Sequence, residues 1–265
     1  MVDNKKIALI TGATSGIGES TAYELANKYS LILCGRNKEK LEQLEVNLSS
    51  KTKVITLEFD VRNHQEVFEK FSSLDNSWKK IELLINNAGN AHGLDFIYEG
   101  DVEDWDMMID TNVKGLLYVT KYVLDSMIKN NSGHIINIGS IAGKEVYPKG
   151  NIYCASKFAM LGFSEGLKHE LSGTGVGITV VSPIMVKTEF FEHPSFEKMP
   201  KYSPTSLNPT TVAKAILKAA NSSRLEIIVP SVVRGAVWMK HTFPYFINPI
   251  LGKSFKKQLD YTKNN

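Results

Sequence analysis

Apolar residues in this chain fall into short, β-branched runs separated by longer stretches in which they recur every three or four positions. The runs Lys6–Thr11, Leu31–Gly35, Lys53–Phe59, Leu83–Asn87, His134–Ile138, Gly177–Val181 and Glu226–Val229 are nearly continuous, as parallel strands buried on both faces should be. The intervening pattern predicts helices over Ile17–Lys28, Lys38–Leu48, His64–Ser73, Val102–Lys129, Ile152–Leu171 and Pro209–Ala220. Such alternation predicts an α/β protein: a doubly wound parallel sheet of about seven strands, with helices on both faces and right-handed crossovers. No repeat or low-complexity linker interrupts it, so residues 1–230 read as one domain. Thr188–Leu207 carries Pro194, Pro200 and Pro204 and reads as a loop. After Val229 the alternation stops, and residues 231–265 read as a helical appendage.

Within the appendage, Val232, Ala236, Met239 and Phe243 share a helical face. Asn248-Pro249 then reads as an N-cap with proline at the first helical position, and Leu251, Phe255 and Leu259 follow on one stripe. The net charge of the chain is only +3, which argues against nucleic acid as its main partner. The positive excess lies at the end, where Arg234, Lys240, Lys253, Lys256, Lys257 and Lys263 face one acid, Asp260. Two readings stand. The apolar stripes favour packing on the domain or on another subunit, in a homodimer or homotetramer. The alternative is a peripheral, amphipathic contact with an anionic membrane surface.

The two cysteines, Cys34 and Cys154, form neither a disulfide framework nor a metal-ligand pattern. The six histidines are scattered, and no metal site is expected. The polar start and the short apolar run Ile7–Ile10 do not form a signal peptide or a membrane span, so a cytoplasmic location is expected.

The candidate chemistry lies at the strand ends. The first strand runs into Thr11-Gly12-Ala13-Thr14-Ser15-Gly16-Ile17-Gly18 just before a helix. Glycines there permit a tight turn and close backbone approach to a pyrophosphate, which the open N–H groups and positive dipole end of the helix attract. The second strand ends in Cys34-Gly35-Arg36-Asn37. An NAD site normally places an acid here to hold the ribose 2′-hydroxyl, whereas arginine accommodates a 2′-phosphate. Arg36 therefore points to NADP(H) over NAD. Farther along, Tyr153 and Lys157 stand at i and i+4 on a predicted helix, so the ammonium can sit near the phenol. A nearby positive charge favours the phenolate, and such a tyrosine can exchange a proton with a carbonyl or alcohol oxygen. Ser140 closes the preceding strand at the carboxyl edge and can hydrogen-bond the same oxygen.

Taken together, the glycine loop, Asp60-Val61, Asn86-Asn87-Ala88-Gly89, Asn112 within Thr111-Asn112-Val113-Lys114-Gly115, Ser140, and Tyr153 with Lys157 resemble the short-chain dehydrogenase/reductase family over about residues 5 to 230. The resemblance implies a Rossmann-type fold and a catalytic tetrad of Asn112, Ser140, Tyr153 and Lys157. Tyr153 would be the acid/base and Ser140 would polarise the substrate oxygen. Lys157 would hold the nicotinamide ribose and lower the Tyr153 pKa, and Asn112 would position a water that relays protons. The cofactor set implied is Gly12, Thr14, Ser15, Gly16, Ile17, Gly18 and Arg36, with Asp60 and Val61 at the adenine. Asn87 would lie near a ribose, Tyr153 and Lys157 at the nicotinamide riboside, and Val186 and Thr188 at the nicotinamide amide. One departure is Pro183-Ile184, where the family usually has Pro-Gly, which puts the pocket shape beside the ring in question.

The stretch Gly139–Gly143 with Tyr147–Lys157 resembles the NADP-dependent 3-hydroxy acid dehydrogenases that act on serine and allo-threonine. The main expectation is an NADPH-dependent oxidoreductase acting on a small carbonyl or alcohol. A 3-hydroxy acid dehydrogenase is the alternative, and a dinucleotide-sensing protein without turnover is a third reading. Ile184, Met185, Phe190 and Phe191 predict a pocket that rewards apolar bulk. Phe190–Lys201, with Phe190, Phe191 and Phe196, reads as a lid over the site, the competing reading being an ordinary surface loop.

Overall fold

The structure, a computed structural model, describes residues 5–93, 95–191 and 204–264. Seven parallel strands form one sheet: β1 (Lys6–Thr11), β2 (Tyr29–Gly35), β3 (Val54–Glu58), β4 (Ile81–Asn86), β5 (Gly133–Ile138), β6 (Val176–Pro183) and β7 (Glu226–Val229), in the order β3-β2-β1-β4-β5-β6-β7. The order reverses between β1 and β4, which opens a crevice at their carboxyl ends, the place where ligands enter such sheets.

The central strands bury both faces because their successive residues serve two cores, whereas the edge strand β3 is only partly covered. Ala8, Ile10, Leu31, Leu33, Leu83 and Ile85 face one side, where they meet α1 (Gly16–Leu25), α2 (Lys38–Ser49) and α7 (Pro209–Ala219). Ile7, Leu9, Ile32, Cys34, Leu84 and Ile135 face the other, against α3 (His64–Ser72), α5 (Leu116–Lys129) and α6 (Asn151–Glu170). Period-two alternation of two apolar sets is what makes the runs look continuous.

Beyond shifts of one to three residues at element ends, two departures from the pattern matter. The helix expected over Val102–Lys129 is α4 (Val102–Ile109) and α5, joined by a wider π turn over Asp110–Gly115. Such turns insert an extra residue and are frequent at functional sites; this one carries Asn112, fully buried. The second correction concerns Asn248-Pro249. The last helix begins five residues earlier: α8 (Val233–Thr242) ends at Phe243, and α9 (Pro244–Asn264) contains Pro249 in its interior. Pro244 takes the first-position role that the motif had assigned to Pro249. Moreover, the predicted stripe Val232, Met239 and Phe243 is exposed in this chain, and α8 turns Val237 inward. Among the described residues no helix is long and apolar enough to cross a membrane.

Candidate active site

The glycine loop leaves β1 at the crevice. Gly16 adopts φ +54°, a left-handed conformation, and its missing β-carbon would stand 2.9 Å from the Thr188 γ-methyl. At Gly18 a β-carbon would lie 2.1 Å from the Gly12 carbonyl oxygen, so only glycine fits. Ser15 does not cap α1 with its side chain, and the helical bonds start with Glu19 N–H donating to the Ser15 carbonyl at 3.2 Å. The first-turn N–H groups therefore stay available to an anion. A bare backbone cradle at an open helix start fits a pyrophosphate. Asn87 buttresses it by donating its amide N–H groups to the Thr11 carbonyl at 3.0 Å and the Gly12 carbonyl at 2.9 Å. Thr14 packs its methyl on Gly35 at the end of β2.

Arg36 follows β2 and is largely exposed, with one guanidinium nitrogen 3.8 Å from the Asp60 carboxylate. The stronger partner of Asp60 is Arg62, which the motif reading passed over. Its Nε and Nη2 donate to the Asp60 oxygens at 3.0 and 2.6 Å, and its backbone N–H donates at 3.0 Å. Burial works to raise the Asp60 pKa, but the Arg62 hydrogen bonds and the charges of Arg62 and Arg36 outweigh it and hold the carboxyl below its ordinary value. Val61, buried beside it, packs so closely on Gly115 that a β-carbon there would stand 2.7 Å from its Cγ2.

The predicted tetrad meets at the carboxyl ends of β4 and β5. Ser140 caps the short turn Ile141–Gly143, accepting from Ala142 N–H at 3.1 Å. Tyr153 and Lys157 lie on α6, the Lys157 ammonium 5.8 Å from the Tyr153 ring centre. That ammonium is buried and donates to the Ile138 carbonyl at 2.9 Å. Asn112 uses both ends of its side-chain amide: Nδ2 donates to the Asn90 carbonyl at 2.8 Å and the Ser156 hydroxyl at 3.0 Å, and Oδ1 accepts from Asn90 N–H at 2.9 Å. At Gly89 a β-carbon would lie 3.1 Å from Asn112 Oδ1 and 3.6 Å from the Lys157 ammonium, so a bare backbone lets these groups converge.

The electrostatics run against one expectation. The Tyr153 phenol is raised to about 12 because burial disfavours the phenolate, only partly offset by hydrogen bonding to Ser140. Lys157 is depressed to about 8 by desolvation. Burial thus dominates over any lowering of the phenol by the ammonium, and Tyr153 is a neutral acid at physiological pH.

Val186 is buried and pairs with Leu207 across an isolated parallel bridge. Lys187 N–H donates to the Leu207 carbonyl at 2.8 Å and Leu207 N–H to the Met185 carbonyl at 2.9 Å. The expected lid segment therefore leaves and returns at one pinned base beside Thr188. Phe190 sets its ring edge-on to Tyr153, with centres 5.9 Å apart. Residues 192–203, including Phe196, lie outside the described residues. Ile184 N–H donates to the Val229 carbonyl at 3.0 Å, keeping this strand end in the sheet despite the missing glycine.

A buried polar chain beneath the site starts from Asn86 of the Asn-Asn-Ala-Gly motif and runs through residues that no motif contains. Asn86 donates to Thr120 Oγ1 and to Asn137 Oδ1, both at 2.9 Å, and Asn137 donates to Ser164 at 2.9 Å. It ties β4, β5, α5 and α6 together under the tetrad. Asn86 and Asn137 stand in register on adjacent strands, and two asparagines inside otherwise apolar runs were the available signal. Among the described residues no three His, Cys, Asp or Glu side chains gather as a metal-binding group.

Comparison with known proteins agrees with this geometry. The family model described as short chain dehydrogenase matches residues 6–198. A relative named NADP-dependent 3-hydroxy acid dehydrogenase YdfG, from Salmonella typhi, is 38% identical over 243 residues, 91% of each chain. Sulfoacetaldehyde reductase 2 from Chromohalobacter salexigens is 42% identical over 186 residues, 69% of this chain and 74% of the relative. Among solved structures, the closed form of serine dehydrogenase complexed with NADP+ is 38% identical with a TM-score of 0.77, covering 83% of this chain and 92% of that one. The chain accordingly belongs to the short-chain dehydrogenase family and is an oxidoreductase.

Proposed function

We propose that this protein reduces a small carbonyl compound with NADPH, with Tyr153 as the proton donor. The observation that carries the reading is a buried, neutral phenol beside Ser140 and Lys157, next to a backbone cradle that fits a pyrophosphate. NADPH, when bound, supplies the hydride. Gly12, Thr14, Ser15, Gly16, Ile17 and Gly18 would hold the diphosphate, and Arg36 would meet the 2′-phosphate, Asp60 being already occupied by Arg62. Val186 and Thr188 would border the nicotinamide end.

As the substrate carbonyl oxygen gains negative charge, Ser140 steadies it and the Tyr153 O–H gives up its proton to it. A pKa of about 12 keeps that proton in place across the physiological range. Lys157, mostly charged at neutral pH with a pKa of about 8, favours the phenolate left behind. Asn112 acts as a positioning residue that fixes the Asn90 backbone against α6. Phe190 covers the phenol and restricts water.

The aliphatic and aromatic rim of Ile184, Met185 and Phe190 favours medium-chain or aromatic carbonyls over serine-like ones. A second reading, oxidation of 3-hydroxy acids with NADP+, is favoured by the names of the relatives that are 38% identical over nearly the whole chain. Replacing Tyr153→Phe removes the proton and keeps the ring, so turnover should fall by about 10²-fold or more, with dinucleotide affinity unchanged. Retained turnover would sink the assignment. In a substrate panel, faster conversion of serine or allo-threonine than of apolar carbonyls would establish the second reading instead.

A further inference from the structure

The structure leaves one surface unaccounted for. Of the sixteen large hydrophobic residues exposed in the described chain, seven lie between Val232 and Ile250. At the elbow where α8 meets α9, Tyr245 is 91% exposed, Phe246 76%, Ile250 64% and Trp238 63%. An apolar cluster this dense on one elbow marks a contact surface. Only Val237 of α8 is buried, and Lys240 anchors that side through an ion pair with Glu145.

We propose that the α8–α9 elbow seats this protein on an anionic lipid surface. Charge chooses the occupant. Between Glu226 and Asp260 the chain has no acid, whereas Arg234, Lys253 and Lys256 are exposed around the aromatic elbow. A second copy meeting this face symmetrically would set basic residues against basic residues with no acid between them. Anionic headgroups complement them, and Trp, Tyr and Phe beside Lys and Arg suit the layer between water and acyl chains. The contact lies on the surface, since none of the described helices can span a bilayer. It also stands beside the active-site rim: α8 follows the carboxyl end of β7, and Glu145 comes five residues after Ser140.

The test uses the full-length protein with vesicles of phosphatidylcholine alone or mixed with phosphatidylglycerol, at low and high salt. Three proteins are compared: the parent, Trp238→Ser/Tyr245→Ser/Phe246→Ser, and Arg234→Gln/Lys253→Gln/Lys256→Gln. The altered residues are exposed and belong neither to the tetrad nor to the dinucleotide cradle, so melting temperature and turnover in solution serve as the folding controls. The parent should sediment with phosphatidylglycerol vesicles at low salt, with a blue shift in Trp238 emission, and detach at high salt. Removing three basic residues should weaken partitioning about 100-fold, and removing the aromatics should abolish sedimentation with the vesicles. A parent that stays in solution with phosphatidylglycerol at low salt overturns the proposal. So does a parent oligomer, seen by light scattering, that dissociates in the aromatic variant, because the face would then belong to a second copy.

Discussion

Lys157 should make the fold less stable than it would be with an uncharged side chain in its place. The residue is buried, and desolvation lowers its pKa from 10.5 to about 8, which corresponds to about 3 kcal/mol of destabilisation of the charged form. Lys157→Met keeps an unbranched side chain, one atom shorter, and removes the charge. It also removes the 2.9 Å hydrogen bond to the Ile138 carbonyl, and an acceptor left unsatisfied costs about 1–3 kcal/mol. The net gain is roughly 1 kcal/mol at pH 7, or about 2–4 °C in melting temperature for a chain of this size.

The pH dependence separates this from a simple packing effect. Below pH 8 both folded and unfolded states of the parent hold the lysine proton, and the folded state carries the full penalty. Between about pH 8 and 10.5 the unfolded state holds the proton and the folded state does not, so parent stability rises with pH. Tyr153, with its pKa raised to about 12, contributes nothing opposing until above about pH 10. The advantage of Lys157→Met should therefore shrink and reverse between pH 7 and 10, while turnover is lost at every pH. Melting curves of both proteins across that range, without added dinucleotide, are the assay. A difference between the two proteins that stays constant with pH would refute the reasoning.

For cofactor choice, Arg36→Ala should erase roughly 10- to 100-fold of NADPH preference, the worth of one charge-assisted hydrogen bond; equal kcat/KM with NADPH and NADH in the parent would show that Arg36 serves another purpose. Arg62→Gln should have a related effect without touching Arg36, because Asp60 would then draw the Arg36 guanidinium, now 3.8 Å away, to itself. The ratio of kcat/KM for the two cofactors measures both. Gly18→Ala forces a β-carbon toward the Gly12 oxygen only 2.1 Å away. It should weaken dinucleotide binding in a fluorescence titration and lower stability by about 1–3 kcal/mol.

Much of this architecture was legible because parallel strands buried on both faces leave an unmistakable pattern, and because the glycines are required by sterics. Gly16 and Gly18 touch Thr188 and Gly12 so closely that a side chain is excluded. Helix boundaries were harder where spacing alone had to decide. The π turn at Asp110–Gly115 preserves the apolar periodicity on either side, so the extra residue is invisible in the pattern. Proline suits a helix start, so Asn248-Pro249 has the look of one in the sequence, but Pro244 suits that position equally and lies nearer the break at Phe243.

The parts of the site that escaped the motifs are those whose meaning depends on a partner far away in the chain. Arg62 is the exception: Asp60 lies only two residues before it, and the pairing shows only once the turn after β3 folds the guanidinium onto the carboxylate. Asn86 and Asn137 become a functional support only when β4 and β5 pair in register and bring Thr120 and Ser164 to them. The charge state of Tyr153 follows the same rule. Its spacing from Lys157 suggested a lowered pKa, yet the fold surrounds both groups with protein, and desolvation moves the phenol up and the ammonium down. The same two residues then read differently: the buried phenol holds its proton, and the buried ammonium gives up its own more easily than a lysine in water does.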